Sequence, residues 1–155
     1  MRSPVILGCG KRKVDAVDVP AWRLYCGSQF TMSLAWADSV TSRDRLFILS
    51  AKYGLIRCTE IVSPYDVRIG AQGSIDLVRV AAQARELGLE TELPVFYGPS
   101  DYAVMLRRAV PGLVWLNQRM DTPGRGIGYQ RQWLKRNHGV IPLAAPRCAG
   151  KAGAA

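Results

Sequence analysis

The chain has 155 residues, 48% hydrophobic and 21% charged, a balance that fits a folded domain with a real core and excludes disordered or fibrous classes. No apolar run approaches the about 18 residues that a membrane-spanning helix needs. The short Val-Ile-Leu run near Met1 lacks the length of a secretory leader, so the expected address is the cytoplasm, with no membrane partner. Of the net charge of +9, +6 lies after residue 117, where seven basic residues face the single acid Asp121; such clustering points to a polyanion, DNA or a nucleotide, or else to a solvated basic face.

In chain order, Val5 to Gly8 reads as a buried strand that ends in Gly8-Cys9-Gly10 and a polar loop, Lys11 to Asp15. Pro20 suits the first turn of a short helix through Tyr25, and Gly27 interrupts it. Ser28 then reads as the cap of a helix to about Ser39, with Phe30, Leu34 and Ala37 at helical spacing. Leu46 to Ala51 is a second strand. Lys52 to Gly73 reads as one long loop, the kind that is usually functional or mobile. Ser74 is expected to cap a helix to about Leu87, with Ile75, Val78, Ala82 and Leu87 inward and Gly88 as its stop. Pro94 to Tyr97 is a third strand, Asp101 to Val110 a helix capped by Ser100 or Asp101, and Val114 to Leu116 a fourth strand. Gly124, Gly126 and Gly128 form a flexible link to a basic helix, Tyr129 to Asn137. The Ala-, Gly- and Pro-rich stretch from Ala144 is expected to be disordered. Strands alternating with helices predict an α/β three-layer sandwich around a mostly parallel, four-stranded sheet, a single domain over residues 1–143.

The candidate chemistry falls at strand ends, where open α/β sheets bind ligands. After the first strand, glycines allow close backbone approach, and Lys11 and Lys13 suit a phosphate. Cys9 is a nucleophile only if a neighbouring cation lowers its pKa; the simpler reading is a small packing residue. After the second strand come Ser50, Lys52 and Tyr53, then Glu60, Tyr65 and Asp66. Tyr53 and Tyr65 can stack on a base, Lys52 can hold a phosphate or an oxyanion, and Asp66 or Glu60 can activate water against a glycosidic carbon. Equally, Asp66 can cap a turn while the tyrosines cover the sheet edge. Arg125, Arg131, Lys135 and Arg136 are the candidates for a nucleic-acid backbone. The four cysteines form no CxxC pair and His138 is the lone histidine, so neither a metal nor a cofactor is expected. The four tryptophans fall mostly at core positions.

The order Cys9-Gly10-Lys11-Arg12-Lys13, Pro20-Ala21 with Leu24-Tyr25, Ser28-Gln29-Phe30, then Ile48 through Ile56 (ILSAKYGLI) and Pro64-Tyr65-Asp66 resembles a bacterial and phage family of unknown function with an ILSAKYGL…PYD signature. Gly126-Ile127-Gly128 with Trp133-Leu134 also fits, so the resemblance spans about residues 5 to 136. The pattern Ser50, Tyr53-Gly54-Leu55, Pro64-Tyr65 is more distantly similar to the YaaA peroxide-stress family. It is also similar to the accessory domain of archaeal tRNA-guanine transglycosylase relatives. These resemblances imply a uracil-DNA-glycosylase-like α/β fold and work on nucleic acid or nucleobases. The chain departs from uracil-DNA glycosylases in lacking their Gly-Gln-Asp-Pro-Tyr motif and late catalytic histidine motif.

The expected function is that of an enzyme acting on a nucleobase, modified or not, or on its N-glycosidic bond. The two alternatives are a non-catalytic DNA-binding or damage-protection module and a small-molecule nucleoside hydrolase or transferase.

Overall fold

In the computed structural model, which describes residues 2–121 and 126–142, a central sheet carries helices on both faces. The strands β1 (Val5–Gly8), β3 (Leu46–Ser50), β6 (Val95–Tyr97) and β7 (Val114–Trp115) are parallel, and β4 (Gly54–Arg57) adds an antiparallel edge, in the order β4-β3-β1-β6-β7. A separate two-stranded ribbon pairs β2 (Val19–Pro20) with β5 (Ile61–Val62). The expected strands are all present, but the sheet has five strands rather than four. The extra one comes from the segment read as a loop.

The correction has a local cause. Ser50 Oγ accepts the amides of Lys52 (3.2 Å) and Tyr53 (3.0 Å), closing a turn at the end of β3. Gly54 then takes φ +78°, a conformation that other residues adopt only at a cost, and the chain returns with Ser50 opposite Gly54 and Ile48 opposite Ile56. Gln83 completes this edge strand: its Oε1 accepts Leu55 N (2.9 Å) and its Nε2 donates to the Tyr53 carbonyl (2.9 Å).

Side chains alternate across the sheet as strand geometry requires. Val5, Leu7, Leu46, Ile48, Val95 and Tyr97 meet one face, with α1 (Ala21–Leu24), α2 (Ser28–Val40) and α5 (Ile127–Arg136). Ile6, Phe47, Leu49 and Phe96 meet the other, with α3 (Leu77–Glu86) and α4 (Ser100–Ala109). Trp36 and Trp133 are buried and pack ring against ring at 6.3 Å, joining α2 to α5. Trp22 and Trp115 are half-buried.

Helix starts differ from the expected ones because neighbouring residues compete for the cap. Asp76, not Ser74, caps α3 by accepting Arg79 N at 2.9 Å, while Ser74 Oγ holds Gly70 N in the preceding turn. The inward face of α3 is Val80, Gln83 and Ala84, with Ile75 and Leu87 packed beside it as expected, whereas Val78 is 78% exposed. Gly27 and Pro99 occupy the cap positions of α2 and α4, leaving Ser28, Ser100 and Asp101 inside their first turns. The expected disordered tail from Ala144 and Gly124 of the expected glycine link lie outside the described residues; the other two glycines of that link belong to α5 instead, with Gly126 at its cap and Gly128 in its first turn. Among the described residues, no helix is long and apolar enough to cross a membrane.

Candidate functional site

The connection leaving β1 runs through α2 on one face of the sheet, and the connection leaving β6 runs through α4 on the other. These strands are neighbours, so their following loops diverge and open a crevice at the carboxyl edge. The strand ends meet closely here. A Cβ built on Gly8 would stand 3.2 Å from Pro99 Cδ and 3.4 Å from Gly98 Cα.

On the β1 side of the crevice lies a small hollow of about 80 Å³, walled by the 9–13 loop, by Asp66, Val67 and Arg68, and by Tyr102. The loop is fixed by backbone bonds: Cys9 N donates to Leu49 O (3.0 Å), Val14 N to Leu24 O (2.8 Å) and Cys26 N to Arg12 O (3.1 Å). Cys9 Sγ lies 3.3 Å from Tyr102 Oη, spanning from the end of β1 to the first turn of α4. Lys13 Nζ donates to the Lys11 carbonyl (3.1 Å) and sits 4.2 Å from the centre of the Tyr65 ring, a cation–π contact. The hollow thus gathers Lys11, Lys13 and Arg68 around the exposed Asp66.

Beneath it runs a chain of hydroxyls. Ser50 Oγ and Tyr65 Oη are 2.7 Å apart, and Tyr65 Oη and Tyr25 Oη are 2.7 Å apart. Burial pushes the Tyr25, Tyr65 and Tyr102 phenols above their ordinary range, with the nearby Cys9 sulfur the second cause for each. These phenols are therefore neutral hydroxyls at physiological pH and act as hydrogen-bonding groups rather than bases.

Of the residues singled out from sequence, Cys9, Lys11, Lys13 and Asp66 share this hollow. Ser50 is fully buried and acts on it through Tyr65. The Tyr53 and Tyr65 rings lie 5.5 Å apart at 85°, edge to face, so they do not form a parallel clamp for one base. Tyr53 Oη donates to the Ser63 carbonyl (3.0 Å), and Lys52 Nζ lies 5.2 Å from the Tyr53 ring centre. Glu60 is apart from Asp66, in a different surface hollow that it shares with Arg57, Arg79 and Glu86. Lys135 and Arg136 are exposed on the last turn of α5; Arg125 lies outside the described residues.

On the β6 side is a larger pocket, about 560 Å³, that the strand-end residues alone did not reveal. It is framed by Gln29 of α2, Tyr97 at the end of β6 with Gly98 after it, Trp115 at the end of β7 with Asn117 after it, and Gln130 of α5. Tyr97 Oη donates to Gln130 Oε1 (3.0 Å) and accepts from the Gln29 amide; Arg131 Nε donates to Gln29 Oε1 (2.8 Å). Arg131 thus braces this pocket. Burial also raises the Tyr97 phenol, partly opposed by the Arg131 charge. The sequence signals for this pocket were the end of the third strand at Tyr97 with Ser100 after it, Gln29 inside the Ser28-Gln29-Phe30 segment, and Ile127; Asn117 and Gln130 carry no charge and no periodicity that would mark them.

Residues 5–136 match a family of unknown function, DUF6884. No curated protein and no solved structure matches the chain.

Proposed function

The chain belongs to the DUF6884 family, which carries no assigned activity, and from its geometry we propose an enzyme acting on a nucleobase or its N-glycosidic bond within nucleic acid. The observation that carries this reading is the hollow in which Asp66 stands among Lys11, Lys13 and Arg68, at the carboxyl edge where neighbouring strand connections diverge. In the proposed mechanism the cations hold a backbone phosphate as charge-assisted donors. Asp66, exposed and free to meet a substrate, activates a water or stabilises the cationic sugar that develops as the glycosidic bond breaks. The neutral Tyr102 and Tyr65 hydroxyls orient the loops around it. A base extruded from its strand would suit so small a domain. The three-layer arrangement and the parallel strands support, at a finer level, a uracil-DNA-glycosylase-like fold.

The test is base release from modified and unmodified DNA, read by mass spectrometry, for wild type and Asp66→Asn. The variant is expected to bind DNA while losing about a hundredfold or more in rate. Turnover at the wild-type rate would remove Asp66 from the mechanism.

A second reading, a non-catalytic DNA-binding module, is favoured by the exposed Lys135 and Arg136. It expects steeply salt-dependent binding that weakens when both are replaced and ignores Asp66→Asn.

A further inference from the structure

The 560 Å³ pocket on the β6 side has the size of a small-molecule site, and the side-chain amides in its wall point one way. Each side-chain amide in its wall already has its carbonyl engaged by the protein. Gln29 Oε1 accepts from Arg131 (2.8 Å), Asn117 Oδ1 from Gly98 N (3.2 Å) and Gln118 Oε1 from Arg107 (3.1 Å). Gln130 Oε1 accepts from Tyr97 (3.0 Å) and from Asn117 Nδ2 (3.5 Å). The opposite ends of these amides are the ones left over. Among the described residues, the NH₂ groups of Gln118 and Gln130 donate to no protein atom, and Gln29 and Asn117 each have one N–H to spare.

The Trp115 indole is held in place by its own bond to the Gly98 carbonyl (3.0 Å) and supplies an aromatic wall. No charged side chain lines this pocket among the described residues. A neutral, donor-presenting wall beside an aromatic surface matches a flat ring that offers acceptors. It does not match an anion, for which the cations are gathered in the other hollow.

We propose that this pocket binds a keto nucleobase, the oxo-purine or oxo-pyrimidine class, in preference to an amino base. A keto base presents a carbonyl oxygen where adenine and cytosine present an exocyclic NH₂, which would stand donor against donor here. The proposal rests on the nucleobase reading above in taking the ring to be a base. It adds which class of base is read, and by which residues.

Equilibrium binding of inosine, uridine, adenosine and cytidine tests it, with base release from DNA measured in parallel. Wild type is expected to bind inosine and uridine about tenfold more tightly than adenosine and cytidine. Gln130→Glu keeps an acceptor for Tyr97 but turns the free donor into an acceptor, so it should abolish or invert that preference. Asn117→Ala, removing a smaller group, should narrow it. No nucleoside binding, or an unchanged preference in Gln130→Glu, overturns the proposal. Base release without a keto preference sinks this inference and leaves the enzymatic reading standing; a keto preference without release does the reverse.

Discussion

Ser50→Ala provides the sharpest test of how the site is held, because Ser50 is fully buried and its hydroxyl serves three groups at once. It accepts the amides of Lys52 and Tyr53 (3.2 and 3.0 Å) and pairs with Tyr65 Oη (2.7 Å). At about 0.5–1.5 kcal/mol per hydrogen bond, removing all three should cost about 2–4 kcal/mol of stability. Tyr65→Phe removes the bonds to Ser50 and Tyr25 and should cost about 1–3 kcal/mol on the same scale. The two changes share one bond, so the double variant should fall short of the sum by about 1 kcal/mol. Urea unfolding of the four proteins, followed by tryptophan fluorescence, measures the cycle. If the effects add to within about 0.3 kcal/mol, the hydroxyl chain is not a coupled unit and the argument fails.

Gly54→Ala should be among the most destabilising small substitutions in the chain. Its φ of +78° is strained for alanine, and the new Cβ would lie 2.2 Å from Gln83 Oε1 and 2.9 Å from Ile75 Cδ1. Displacing Gln83 frees both of its bonds to the edge strand, for a total of about 2–5 kcal/mol, and a urea midpoint unchanged from wild type would refute the geometry. Stability should also fall as the solution becomes alkaline. The Tyr25, Tyr65, Tyr97 and Tyr102 phenols lie above their ordinary value of 10.0 in the folded state, so the unfolded chain loses these protons first and is favoured as pH rises through that value. Urea midpoints from pH 8 to 11 should decline once the ordinary phenol range of about 10 is reached; a flat profile would contradict the burial.

The framework strands were readable because a central parallel strand is apolar on both faces: Val5-Ile6-Leu7 and Leu46 to Leu49 are continuous runs with no competing pattern. β4 was hidden because Leu55 and Ile56 are too short a run between Gly54 and Arg57. What makes them a strand is Ser50 holding the turn and Gln83 holding the edge, both of them contacts of the folded state. In α3, Ser74 and Asp76 are equally good caps by residue type, and only the turn that consumes the Ser74 hydroxyl decides between them. The hollow around Asp66 was partly legible, since its lysines follow the end of β1 closely and its carboxylate sits in the long segment after β3 that was already expected to be functional. Its tyrosines at positions 25 and 102 were not, because in sequence they look like helix and core residues. The amide pocket was the least legible, because four of its residues become a set only through the bonds that fix their carbonyls.

The meeting of Gly8 and Gly98 bears on how the two hollows behave together. A Cβ on Gly98 would lie 3.2 Å from Gly8 Cα and 2.5 Å from Phe96 Cζ, so the ends of β1 and β6 come close, with the Phe96 ring filling the place a side chain on Gly98 would take. A flexible side chain in that place would absorb small displacements by changing rotamer, whereas glycine backbone wedged against a buried ring passes them on. The junction is thus a stiff seam. An occupant that shifts the chain after β6 is expected to push on the end of β1, where the loop bearing Cys9, Lys11 and Lys13 begins, so that the two halves of the crevice would be connected mechanically without a moving domain.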